Sequence, residues 1–258
     1  MGKVYLVGAG PGAPDLLTLR AARILERADV VFHDALIHPD VLAIASRARI
    51  VAVGKRCGQI STDQRFINRC LMEAAARYEA VVRLKGGDPM VFGRAQEELD
   101  ALAANGIDCE VVPGVTAALA AAAELKISLT RRGASRSVVL ATPRIGTDQP
   151  VGEWANAAAA ADTAVLYMGV GEARLLADVL KQAGVPGTHP VAIVQSASLP
   201  TARKLYTKLD DLPRRAAEMP PGGPTLLVLG EVLRQALSAD QSRRQIPAEL
   251  PATRASRA

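Results

Sequence analysis

The sequence predicts an α/β protein in which a largely parallel sheet carries helices on its faces. Short β-branched runs alternate with Ala/Leu-rich amphipathic stretches through the first half of the chain. A hydrophobic fraction of 49% with 22% charged residues is ordinary globular composition, and 258 residues suffice for one large or two medium domains. Strand candidates also end repeatedly on glycine turns: Val7 before Gly8, Val53 before Gly54, Lys85 before Gly86-Gly87, Val112 before Pro113-Gly114, and Met168 before Gly169. In a parallel sheet the carboxyl ends of strands share one edge, where glycine lets backbone approach a ligand closely.

Taken in order, residues 4–7 read as a strand, 18–28 as a helix, and 30–33 and 50–53 as strands. A helix over 63–77 follows, then a strand at 81–85, a helix at 94–104 and a strand at 109–112. Thr116 reads as the N-cap of an Ala-rich helix running to 125. The second half keeps the rhythm less strictly, with strands at 137–141, 163–168, 191–195, 204–209 and 225–229 and helices at 154–161 and 172–183. The Arg-rich stretch 128–137 reads as a linker or exposed loop. The domain division is therefore placed between 127 and 128, with a second domain over 128–237 and a mobile tail over 238–258.

Bulk properties exclude several classes of function. Aromatic residues are only 3% of the chain, too few for stacking single-stranded nucleic acid. The net charge of +5, part of it in the tail arginines Arg243, Arg244, Arg254 and Arg257, suits an anionic substrate without requiring nucleic acid. Cys57, Cys70 and Cys109 form no CxxC and read as reduced thiols; His33, His38 and His189 lack metal-ligand spacing. No signal peptide and no membrane-length apolar run is evident, so a cytoplasmic location with no membrane partner is expected.

Three segments carry the chemical signal. The loop Gly8-Ala9-Gly10-Pro11-Gly12 partly fits a dinucleotide fingerprint, but Pro11 and Pro14 delay the helix whose N-terminus a pyrophosphate needs. Asp34 closes the strand at 30–33. The strand at 81–85 turns two cations, Arg83 and Lys85, to one face and runs into Gly86-Gly87-Asp88, where Asp88 caps the turn or meets a ligand. With Arg56, Arg131 and Arg132, these cations are candidate anchors for an anionic ligand.

Together, VYLVGAGPGAPDLLTLRA (4–21), ADVVFHDALI (28–37), VGKRCGQ (53–59), VVRLKGGDPMVFGRAQEE (81–98), GIDCEVVPGVTAALAAA (106–122), VLYMG (165–169) and PVAIVQSAS (190–198) closely resemble the uroporphyrinogen-III C-methyltransferases of the tetrapyrrole methylase class. The resemblance implies two α/β domains with a cleft between them for S-adenosyl-L-methionine, a homodimer and no metal. It further implies methylation of uroporphyrinogen III at C2 and C7, giving precorrin-2 through precorrin-1 for sirohaem and cobalamin, with S-adenosyl-L-homocysteine released. Carried over by motif, Pro11, Gly86, Gly87, Asp88, Val91, Thr116, Ala117, Met168 and Ala197 are implied cofactor contacts. Asp34 is the implied proton acceptor and Lys55 the implied proton donor. His33, Met90, Ala95-Gln96 and Thr142-Pro143-Arg144 depart from the pattern, which there commonly has Tyr, Phe, Gly-Gly and T-G-H. A later precorrin methylase, a ribosomal RNA methylase of the same fold and a non-catalytic cofactor-binding regulator are the alternatives.

Overall fold

The computed structural model describes residues 2–54, 64–143 and 153–245. The first unit is built on β1 (Lys3–Gly8), β2 (Val30–His33), β3 (Arg49–Ala52), β4 (Ala80–Lys85) and β5 (Cys109–Val112). These pair entirely in parallel in the order β3-β2-β4-β1-β5. Strand polarity thus matches the expected parallel sheet, and the carboxyl ends of all five strands lie on one edge.

Alternate residues of these strands bury opposite faces. Val7, Val31, Val82, Leu84 and Val112 pack under α1 (Leu19–Glu26) and α2 (Pro39–Ala43). Val4, Val30, Phe32 and Val81 pack under α3 (Gln64–Ala75) and α4 (Ala95–Ala104). The prolines of the first loop do delay the helix. Pro14–Leu16 forms one 3₁₀ turn, and Thr18 then caps α1, its hydroxyl accepting from Ala21 N at 3.1 Å.

The next helix is α5 (Ala117–Leu125), and the second unit holds β6 (Val138–Ala141), α6 (Glu153–Ala160), β7 (Thr163–Tyr167), α7 (Ala173–Gln182), β8 (Pro190–Gln195), β9 (Arg203–Lys208), α8 (Leu212–Ala216) and β10 (Thr225–Gly230). Its order is β6-β7-β10-β8-β9, and only the β6–β7 pair is parallel. The looser rhythm of the second half corresponds to this mixed sheet. Only residues 196–202 join β8 to β9, too few for the crossover that a parallel pair needs.

α5 falls before residue 128, yet its buried residues Ala118, Ala120, Ala121 and Leu125 pack on Val165, Ala192, Val194, Leu226 and Val228 of the second sheet. It follows β5 of the first sheet in the chain and packs on the second. The last helix, α9 (Arg234–Gln245), crosses the point where the sequence pattern suggested a mobile tail. Leu237 is buried on it, and the Ser238 and Ser242 hydroxyls donate to the carbonyls four residues earlier; residues 246–258 of the expected tail lie outside the described residues.

Candidate active site

The loops at the carboxyl edge of the first sheet hold one another by backbone. Ala9 N donates to Lys85 O at 2.8 Å, and Gly10 and Gly87 exchange hydrogen bonds at 3.2 and 2.7 Å. Glycine at 8 and 114 is required by this packing. A Cβ on Gly8 would come within 2.6 Å of Gly114 N, and one on Gly114 within 2.3 Å of Gly87 O. At these two positions the close approach is loop to loop. Gly86 differs, because a Cβ there would meet nothing within 4 Å; it faces open space.

Asp88 fastens this assembly. One carboxylate oxygen accepts from Met90 N at 2.8 Å, closing the turn, and the other accepts from Gly114 N at 3.0 Å. Val91 continues the turn, its N–H donating to Asp88 O. A Cβ on Gly87 would lie 3.8 Å from Ala117 N and Thr116 Cα, so Gly86, Gly87, Asp88, Thr116 and Ala117 are brought together.

Thr116 occupies the N-cap of α5 with extended dihedrals, but its hydroxyl does not cap the helix. It shares a 2.6 Å hydrogen bond with the Tyr167 hydroxyl, which also accepts from Ala118 N at 3.1 Å. The cap is supplied from the other sheet. The register of β7 aims Tyr167 at α5, because Val165 and Tyr167 share the face that α5 covers. The Tyr167 ring in turn lies 4.9 Å from that of Phe92, tilted by 54°.

The remaining candidates sit on loops of this seam. Pro11 lies between Gly10 and Gly12, both with positive φ. Ala13 N donates to Ser198 Oγ at 3.1 Å, and Ser198 N to Glu124 Oε1 at 3.1 Å, placing buried Ala197 beside the first loop. Phe92, Arg94, Met168, Ser196 and Ser198 are non-glycine residues in the left-handed region, a costly conformation that gathers at functional sites. Met90, Phe92 and Met168 present exposed apolar surface.

Asp34 stands at the end of β2, on the face turned toward α3 and α4. Its side chain is 33% exposed, and Oδ1 accepts from Arg83 Nη2 at 2.5 Å. Arg83 and Lys85 do share one face of β4, as their spacing implies. They are only 2% and 3% exposed, however, and both meet Glu98, which is 0% exposed. Arg83 Nε donates to Glu98 Oε1 at 3.0 Å, and Lys85 Nζ reaches both Glu98 oxygens at 3.1 Å. Burial holds the Lys85 ammonium below the usual lysine range, and the neighbouring Arg83 charge adds to this. Neither cation is therefore a surface anchor for substrate carboxylates; both are consumed in an internal network. Arg131 and Arg132 are exposed, in a turn closed by Arg131 and Ser135.

Glu98, Tyr167 and Ser198 were not singled out by sequence reasoning. Glu98 was detectable: two cations alternating in an otherwise apolar strand need a buried counter-charge, and Glu97-Glu98 opens the following helix. Tyr167 and Ser198 act across the seam, where no spacing rule reaches. Lys55, with Arg56 and Cys57, lies outside the described residues, as does Arg144. Among the described residues, no cluster of His, Cys, Asp or Glu is arranged for a metal, and no helix is long and apolar enough to cross a membrane. The half-buried thiol of Cys109 is pushed up to about 11 by burial, which keeps it protonated and unreactive. A surface hollow of about 410 Å³ between α7 and α8 borders none of the candidates; its Arg214 is already paired with Asp211 and Glu218.

Comparison with known proteins agrees with the two-sheet fold. The chain is 46% identical over 237 residues to a uroporphyrinogen-III C-methyltransferase of Pseudomonas aeruginosa, covering 92% of this chain and 96% of the relative. It is 43% identical to a siroheme synthase of Azotobacter vinelandii, of which it spans about half, 51%. The crystal structure of a Thermus thermophilus uroporphyrin-III C-methyl transferase complexed with S-adenyl homocysteine superposes with a TM-score of 0.79 at 40% identity, covering 91% of this chain and all of that one. The model of the tetrapyrrole (corrin/porphyrin) methylases matches residues 3–213, both sheets except the last strand, and the chain belongs to that family.

Proposed function

We propose that this chain transfers methyl groups from S-adenosyl-L-methionine to C2 and then C7 of uroporphyrinogen III. The product is precorrin-2, formed through precorrin-1, and it feeds sirohaem and cobalamin synthesis. The observation that carries this reading is the seam itself. The open Gly86-Gly87 turn abuts the start of α5, which Tyr167 of the second sheet caps, and Met168, Ser196 and Ser198 hold left-handed conformations on the second-sheet side. The full-length likeness to a uroporphyrinogen-III C-methyltransferase supplies the substrate class.

Pro11, Gly86, Gly87, Val91, Thr116, Ala117, Met168 and Ala197 line the cofactor site, and Asp88 braces it. The cofactor supplies an activated methyl on a sulfonium. A carbon–carbon bond forms to the nucleophilic pyrrole carbon as the methyl–sulfur bond breaks, leaving S-adenosyl-L-homocysteine. The macrocycle then carries the positive charge and discharges it by losing a proton. The chain contributes mainly alignment of donor and acceptor, the term most sensitive to small displacements. Asp34 accepts the proton at Oδ2, the oxygen not held by Arg83, and Lys55 is the donor. Exposed Met90, Phe92 and Met168 offer apolar surface to the macrocycle. We place the enzyme in the cytoplasm as a homodimer of two-domain subunits divided near residue 127.

Incubation with uroporphyrinogen III and labelled cofactor should yield a doubly methylated product by mass spectrometry; no transfer, or transfer only to an already methylated precorrin, refutes the assignment. Asp34→Ala should lower turnover by at least about tenfold while cofactor affinity stays within about twofold, the signature of a group acting after binding. Full activity in that variant removes Asp34 as the acceptor.

A further inference from the structure

The buried charges under α3 and α4 do not balance by themselves. Arg83 and Lys85 are cations, and Glu98 is the only carboxylate enclosed with them among the described residues. Gln64, also buried, adds a neutral donor, its Nε2 giving hydrogen bonds to Glu98 Oε1 at 3.0 Å and to Asn68 Oδ1 at 3.1 Å. One positive charge is therefore left over. The carboxylate that meets it is Asp34, half in the open at the rim of the sheet.

Arg83 is also the one member of the network that reaches both ends. Its Nε is held by Glu98, its Nη1 donates to Leu84 O at 3.3 Å, and its Nη2 is left to hold Asp34 Oδ1. A planar guanidinium fixed at two points has no freedom in its third. Asp34 Oδ2 takes no hydrogen bond from the described residues, so the clamp engages one oxygen and leaves the other unclaimed among them.

We propose that Arg83, itself set by Glu98, is a positioning residue that orients Asp34 for proton acceptance and does not touch substrate. This rests on the reading of Asp34 given above. The structural alternative is that the network only fills the space under α4. The two differ in what happens when Arg83 alone is removed. Lys85 and Glu98 then remain as a neutral buried pair, so the fold keeps its charge balance while Asp34 loses its clamp.

The test uses the full chain with Arg83→Met, Arg83→Lys, Asp34→Ala and the double variant Asp34→Ala/Arg83→Met. Turnover of uroporphyrinogen III, the dissociation constant for S-adenosyl-L-homocysteine by calorimetry and the melting temperature are measured for each. Arg83→Met should lower kcat at least about tenfold with KM and cofactor affinity within about twofold. Arg83→Lys should not rescue it, because one ammonium cannot span both carboxylates. In the double variant the loss should equal that of Asp34→Ala alone, since a residue acting through Asp34 has nothing left to position. Retained kcat in both Arg83 variants overturns the proposal. So does a loss that multiplies in the double variant, or one in which cofactor affinity and melting temperature fall in step with kcat. A wild-type chain without turnover refutes the functional reading first and this proposal with it, whereas an active wild type with indifferent Arg83 variants refutes the proposal alone.

Discussion

In the first sheet, β4 turns Arg83 and Lys85 inward beneath α3 and α4; in the second, the inward positions 164–166, 191–194 and 226–229 are all apolar. Enclosing an ion triad costs desolvation that a hydrophobic interior avoids, and such triads often add no net stability. The first unit bears this cost where its network reaches the cleft rim at Asp34. Among the described residues, the second unit contributes no enclosed carboxylate. It supplies fixed backbone and hydroxyls at the seam: Tyr167 on α5, Ser198 on the first loop, and left-handed Met168 and Ser196. On the proposed function, one sheet carries charge to the site, and the other sets the geometry in which that charge works.

The sharpest way to break this contrast is Glu98→Leu. It strands buried Lys85, takes from Arg83 its enclosed partner, and should cost about 3–5 kcal/mol in urea unfolding. A loss below about 1 kcal/mol would mean that the first sheet does not depend on its internal charges. Next, Asp88→Ala frees the N–H groups of Met90 and Gly114 and loosens the turn beneath Gly86. Affinity for S-adenosyl-L-homocysteine should fall about tenfold, close to 1.4 kcal/mol; unchanged affinity by calorimetry removes Asp88 from the cofactor site.

Tyr167→Phe keeps the ring beside Phe92 and deletes only the trans cap of α5. About 1 kcal/mol of stability should be lost, and cofactor affinity should drop by less than in Asp88→Ala. If affinity is untouched, the second sheet's role at the seam is merely structural.

The smallest effect concerns His189, at the start of β8. Burial lowers its basicity, only partly opposed by Glu231, whose Oε1 lies 3.7 Å from Nδ1. The unfolded imidazole titrates near 6.5, and the folded one below it. Between the two the unfolded chain binds more protons, so this contribution is complete above pH 6.5 and is lost as pH falls through that value toward the folded one. Melting temperatures from pH 8 to pH 5 should show the decline, and His189→Asn should flatten it. An unchanged slope in the variant assigns the acid sensitivity elsewhere.

Sequence reasoning located β2 and β5 to the residue, because each is a short β-branched run bounded by turn-forming or charged residues. The first sheet's polarity was legible in the helix-length connections between its strands. Polarity in the second was not, since pairing depends on which strands meet and not on their own composition. Local motifs likewise exposed the GGD turn and the two cations of β4, but left open whether Asp88 meets a ligand and whether the cations face water.

By itself, then, the sequence determined the strands, the helices other than α2, α8 and α9, the glycine-rich edge and the family, all of which depend on residues near one another in the chain. Tertiary structure decided what those residues touch. Arg83 and Lys85 became an internal network instead of substrate anchors, because α4 lays Glu98 over them. The α5 cap came from Tyr167, fifty-one residues beyond Thr116, because the register of β7 aims it there. Both outcomes follow from burial and reach across the fold, where an unpaired buried polar group is costly and the partner that satisfies it need not be close in the chain.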